Sequence, residues 1–163
     1  MKLETLRDLL VEELEDLYDA EHQLTDALPK MKEAASAAPL KKAFQTHLDQ
    51  TNEHIRRLEQ VFNMLGEKPK RKTCKAMKGL IKEGADMIEE KADRDVKDAG
   101  LIASAQRVEH YEIAAYGTAM AYAKQIGERE AITVLGRTLD EEKMTDELLT
   151  QLAETTINVR AAS

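Results

Sequence analysis

The sequence predicts an all-α protein, an up-down bundle of four long helices. Three observations carry that prediction. Charged residues make up 34% of the chain and hydrophobic residues 42%, a mixture suited to helices with one buried face. Aromatics are only 4% and Trp is absent, which disfavours a β-rich core. Apolar residues recur three or four apart through four long stretches, the period of a helix with one side buried.

The first helix is expected from about Leu3 to Ala35, on the stripe Leu3, Leu6, Leu10, Leu14, Leu17, Leu24, Leu28 and Met31. Pro29 falls inside it, where the missing N–H kinks or loosens the last turn. The second helix is expected from Pro39 to Leu65. Proline fits its first turn, and Gly66 suits its C-terminal cap. A basic stretch, 68–78, then leads into a shorter amphipathic helix carrying Met77, Leu80, Ile81, Met87 and Ile88. The third long helix is expected from Asp95 to Gly127, the fourth from Glu128 to about Ile157. The turn QIGERE is short and joins antiparallel neighbours. The connection between the second and third long helices is long enough to travel the length of the bundle. Two hairpins joined by one long crossover, here containing a short extra helix, is ferritin-like wiring. At 163 residues the chain is expected to be a single domain over 1–163. A weak echo of AEHQL in VEHYE, and of HLDQTNEHI in LDEEKMTDE, suggests two similar hairpins.

Charge and cysteine content narrow the partners. The formal net charge is -7, a poor match for nucleic acid or an anionic membrane. No apolar run approaches the ~20 residues that span a bilayer, and MKLETLRDLL lacks the apolar core of a signal peptide. Cys74 is the single cysteine, so no internal disulfide forms and a reducing, cytoplasmic setting is expected. Apolar residues outside the main stripes, Leu9, Val11 and Ile113, point to a homodimer.

Chemistry enters where polar groups interrupt the stripes. Glu21 lies four after Leu17 and three before Leu24, and at about 100° per residue the three share a face. The second helix puts His47, Gln50 and His54 among Phe44, Leu58, Val61 and Leu65. The third runs Ile102, Ala105, Glu109, Glu112, Tyr116, Met120, Ala123; the fourth runs Ile132, Leu135, Leu139, Glu142, Asp146, Leu149, Leu152. All four long helices thus carry polar groups mid-stripe at similar heights. Buried acids meeting at one level repel one another and lose hydration, and divalent cations resolve both penalties. Carboxylates with an imidazole suit iron, manganese or zinc. Taken singly, each acid reads as a helix-edge residue with its head in water, while His54 faces the core and reads as a ligand first and a satisfied core histidine second. His47 reads as a structural group near the site. Glu53, about 100° around from His54, is expected in solvent. Tyr18, Tyr111 and Tyr116 read as packing, with one available to hydrogen-bond a ligand carboxylate. The 68–78 run reads as a solvated connector or a phosphate patch, and Cys74 within it is given no role.

The segments YDAEHQLTDALPKM, HLDQTNEHIRRLEQV, VEHYEIAAYGT and LDEEKMTDELL resemble the YciE/YciF family of bacterial ferritin-like proteins, nearest its YciF branch. The resemblance runs from the first helix through the fourth. It implies a dimeric bundle related to rubrerythrin and ferritin, an association with stress responses, and a dinuclear metal centre of undefined activity. By matching position, the site uses Glu21, Glu109, Glu112, Glu142 and Asp146, with His54 beside Gln50. Relatives carry Glu where this chain has Gln50. More oxygen and less nitrogen ligation favours a harder ion, such as manganese or ferric iron. Two readings stay open: a di-metal protein, iron first, that reacts with oxygen or peroxide, and a non-enzymatic helical stress protein. A DNA-binding miniferritin fits worse, because no basic arm precedes the first helix.

Overall fold

The computed structural model describes residues 3–163. Met1 and Lys2, which the 1–163 reading includes, lie outside the described residues. The chain folds as α1 (Leu6–Ala34), α2 (Ala38–Met64), α3 (Lys75–Glu89), α4 (Arg94–Ile126) and α5 (Arg129–Leu152), then a π turn (Ala153–Ile157) and α6 (Asn158–Ala161). No strand occurs among the described residues, and the architecture is an all-α bundle.

Local chemistry sets the ends. Thr5 and Asp8 form a reciprocal capping box, so α1 begins at Leu6 and not at Leu3. The helix runs through Pro29 to Ala34. The start of α2 has no side-chain cap of its own. Buried Asp98, from α4, takes that role by accepting Ser36 N and Ala37 N, each at 2.8 Å. Gly127 closes α4 with φ 84°, a left-handed conformation that glycine adopts without penalty. The fourth long helix loses its α-geometry at Leu152, earlier than the apolar stripe implies. The π turn still keeps Ala153 and Ile157 in the core.

The α1–α2 and α4–α5 hairpins pack with α1 on α4 and α2 on α5, while α3 lies across α1 and α4. The basic connector before α3 is tied down by acids on α1. Arg71 Nε meets Asp19 at 2.9 Å, Lys70 Nζ lies 3.7 Å from Glu15, and Lys72 pairs with Glu12. Asp19 also accepts Cys74 N at 2.8 Å, so the stretch has a neutralising surface beneath it. Val11 is 4% exposed and belongs to the core, which corrects its expected place on an outer face. Leu9 and Ile113 are half-buried. No helix among the described residues is long and apolar enough to cross a membrane.

The core is two apolar clusters. One gathers Leu10, Leu14, Leu17, Leu58, Phe62 and Leu135 with their neighbours. The other gathers Leu24, Leu28, Phe44, Leu101, Ile102 and Leu149 with theirs. On every long helix the gap between the two is filled by polar residues.

Candidate metal centre

That gap holds Glu21, His47, Thr51, His54, Glu109, Glu112 and Glu142, none more than 2% exposed. α1 supplies Glu21, α2 the histidines and the threonine, α4 the glutamate pair and α5 Glu142. His47 and His54 are seven apart, two helical turns, so both rings face the same seam at different heights. Glu109 and Glu112 are three apart and likewise share a face.

These residues form two groups. His47, Glu109, Glu112 and Glu142 each place a donor atom within 4.8 Å of the others, as do Glu21, His54 and Glu142. Glu142 belongs to both. Its Oε1 lies 3.0 Å from His54 Nδ1 and its Oε2 3.5 Å from His47 Nε2. His47 Nδ1 is 2.8 Å from Glu109 Oε1, and His54 Nδ1 is 3.3 Å from Glu21 Oε1.

Around this centre other residues fix the donors. Glu141 accepts from His54 Nε2 at 2.8 Å and is itself gripped by Arg57 through 2.8 and 3.0 Å contacts. That arrangement points Nδ1 of His54 into the cluster, the orientation an outer carboxylate imposes on a metal-ligating imidazole. Tyr116, fully buried, donates its hydroxyl to Glu21 Oε1. Tyr18 donates to Glu59 and Tyr111 to Asp16, so Tyr116 alone of these three touches a cluster carboxylate.

The hydrogen bonding is nevertheless incomplete. Glu21 Oε2, His47 Nε2, Thr51 Oγ1, His54 Nδ1 and both oxygens of Glu109, Glu112 and Glu142 have no partner of hydrogen-bond geometry. Buried polar groups left this way are expensive, so a whole layer of them calls for an occupant. Protonation supplies part of one. Burial, then the charge of Glu142, holds the carboxyls of Glu109 and Glu112 well above the usual range. Burial also raises Glu21. At Glu142 burial is outweighed mainly by the His54 ring, 3.0 Å away, and its pKa falls. At His54 burial is likewise outweighed, here by Glu142 and Glu21, which push it up to about 11. Burial lowers His47, leaving a neutral imidazole. Burial thus favours the neutral acid at Glu109, Glu112 and Glu21, where a cation would otherwise supply the opposite charge.

Seven residues carry the sequence expectation, and the structure gathers Glu21, His54, Glu109, Glu112 and Glu142 into the two groups. Gln50 is half-buried and its side-chain oxygen accepts from Thr145 Oγ1 at 3.4 Å. Asp146 turns to the α4–α5 seam, meeting His110 Nε2 at 3.1 Å and Gln106 Nε2 at 3.2 Å, with 22% of its side chain exposed. Four residues on from Glu142 is about 40° around the helix, enough to carry its carboxylate out of the layer. In their stead come His47, which the sequence places only near the site, and Thr51, which no motif marks. The signal for both was spacing: they stand seven and three residues before His54. Glu53 is 44% exposed in its side chain and pairs with Arg56.

A helical bundle whose core is split by buried histidines and glutamates, with one glutamate common to two groups, is a protein built so that it can hold metal ions between its helices. The chain belongs to the family described as Domain of unknown function (DUF892), whose model matches residues 5–162. It is 46% identical over 162 residues to Protein YciF of Escherichia coli K12, covering 99% of this chain and 98% of that one. The crystal structure of the E. coli stress protein YciF superposes with a TM-score of 0.92, covering 96% of this chain and 99% of that one. YcfI from Rhodopseudomonas palustris, described as a structural protein, is 45% identical with a TM-score of 0.89, over 91% and 95% of the two chains. A Xanthomonas campestris protein, 21% identical with a TM-score of 0.75 over 96% and 95% of the chains, shares the fold.

Proposed function

We propose that this chain is a ferritin-like stress-response protein holding two divalent ions, iron first, and reacting with oxygen or peroxide. His47, Glu109, Glu112 and Glu142 would hold one ion and Glu21, His54 and Glu142 the other, with Glu142 available to both. The observation that carries this reading is the set of buried oxygens and nitrogens without partners, gathered from four helices between the two apolar clusters. Imidazole with carboxylate suits iron, manganese or zinc, and the excess of oxygen donors favours the harder ions. Bound iron or manganese supplies one-electron redox chemistry.

The chain's own residues do the rest. Glu141 and Arg57 hold the His54 ring, and Tyr116 fixes Glu21. The apolar clusters above and below exclude water, which strengthens every charge interaction inside. Glu109 and Glu112 hold protons in the metal-free protein and give them up as cations enter. Residues 1–163 act as one domain in this reading, in the cytoplasm and as a homodimer.

The test is metal analysis after reconstitution with ferrous iron or manganese, followed by peroxide-dependent consumption of ferrous iron. About two ions per chain are expected for the wild type, and loss of both for Glu142→Ala. No bound metal in the reconstituted wild type sinks the reading. A second reading is a helical structural protein with no turnover; the R. palustris relative is described as a structural protein. The His54–Glu142 ion pair favours it, because that pair with protonated Glu109 and Glu112 lets the layer stand without an ion. Two bound metals without any peroxide reaction decides for this second reading.

A further inference from the structure

A cavity of about 120 Å³ lies between α1, α3 and α4 and reaches inward to His47 and Glu109. Its walls are mostly apolar, with Leu24, Leu28 and Met31 from α1, Ile81 and Ile88 from α3, and Val108 from α4. Asp26 and Lys30, both exposed, also line it and mark its solvent end. At the inner end the polar groups are buried and unpaired: Glu109 is 0% exposed with neither oxygen partnered, and His47 is 2% exposed with Nε2 free.

Gly84 forms part of the wall on α3. A Cβ there would meet Met31 Sδ and Ser104 Cβ at 3.8 Å each, ordinary van der Waals contacts. Packing therefore tolerates a side chain at this position. With no side chain at Gly84, that space belongs to the cavity.

We propose that this cavity binds a small neutral molecule, with an apolar body the size of one aromatic ring and a single hydroxyl or carbonyl head lodged against His47 and Glu109. The volume bounds the size: an apolar protein cavity of roughly 150 Å³ takes up benzene, so at about 120 Å³ a single ring fills this one and extends toward the open end at Asp26 and Lys30. Neutrality follows from the floor. It offers only His47 and Glu109 and no Lys or Arg, so a charged head would give up its hydration without an opposite charge to meet. The orientation follows from the asymmetry of the walls, apolar along the length and polar at one end, the usual design of a small-molecule site. The proposal deepens the metal-centre reading, on which it rests for the meaning of the head-group contact: it names the class of molecule brought beside that centre. The crossover helix α3 then has a purpose beyond connection, as one wall of the site.

Benzyl alcohol is a suitable probe, titrated calorimetrically into metal-free and manganese-loaded protein, with benzoate as the charged counterpart. One benzyl alcohol per chain is expected. Gly84→Val should weaken it at least ten-fold, and Gly84→Ala by a smaller factor at an unchanged or higher melting temperature. Metal content should stay at the wild-type level in both variants. No saturable binding to the wild type overturns the proposal, as does equal affinity in the wild type and in a folded Gly84 variant. Benzoate binding as tightly as the alcohol overturns the neutral-head assignment. Metal analysis of the same samples reads the metal centre separately, so either idea can fail alone.

Discussion

Replacing Glu112 by methionine should make the metal-free protein more stable and the metal-loaded protein less so. Glu112 is 0% exposed, and neither of its oxygens has a hydrogen-bond partner. A buried polar group in that state costs about 1–3 kcal/mol, and methionine matches its length while packing well in irregular gaps. A net gain of about 1–2 kcal/mol in a domain of this size corresponds to a rise in melting temperature of about 2–8 °C. The gain also depends on pH. Burial holds the folded-state pKa of Glu112 well above the ordinary carboxylate value of about 4.3, so the native state keeps a proton that the unfolded chain releases. Wild-type stability from this group therefore falls as pH rises above that value, and the methionine variant escapes the fall. Its advantage should be larger at pH 7 than at pH 5. With ions present the order reverses. A metal at a hundred times its Kd stabilises the native state by about 2.7 kcal/mol, and the variant has lost one ligand of the first group. Thermal unfolding by circular dichroism, with chelator and with manganese, reads both arms. If Glu112→Met is less stable in chelator, the carboxyl is satisfied in solution and the inference from unpaired atoms is wrong. If manganese shifts neither protein, the layer is not a cation site.

Four other substitutions probe separate parts of the molecule. Asp146→Ala should leave metal stoichiometry unchanged, because its carboxylate bonds His110 and Gln106, while His47→Ala should lower it by one ion per chain; elemental analysis decides. Asp98→Ala removes the only side-chain acceptor given to the Ser36 and Ala37 amides at the start of α2, and should cost about 2–3 kcal/mol by urea unfolding. Asp19→Ala releases Arg71 and the Cys74 amide together, so limited proteolysis should cut the 66–74 connector faster than in the wild type, with the α-helical signal retained.

Much of this was legible in the chain. Stripes three and four apart, Pro39 and Gly66 at helix ends, and one short against one long connection set four long helices in ferritin-like order. The same stripes exposed Glu21, Glu109, Glu112 and Glu142, because a charged residue on an apolar face breaks a period that sequence displays directly. Family resemblance and periodicity both also pointed to Asp146, whose carboxylate lies beside His110 and Gln106. A stripe spans a wide arc of the helix, and position within the arc decides whether a carboxylate reaches the axis of the bundle or its seam. Only the packing of α5 against α4 made that choice for Asp146, by offering it His110 and Gln106.

The sequence by itself determined that four helices would each bury a polar interruption at one height, since the helical repeat is a property of the backbone alone. Tertiary structure decided which of those groups meet. It brought in His47, left Gln50 with Thr145, made Glu142 common to two groups and set α3 as a wall. Those outcomes depend on how far each helix is rotated about its own axis against its neighbours, and that rotation is fixed by the summed packing of both apolar clusters, not by any single segment of the chain.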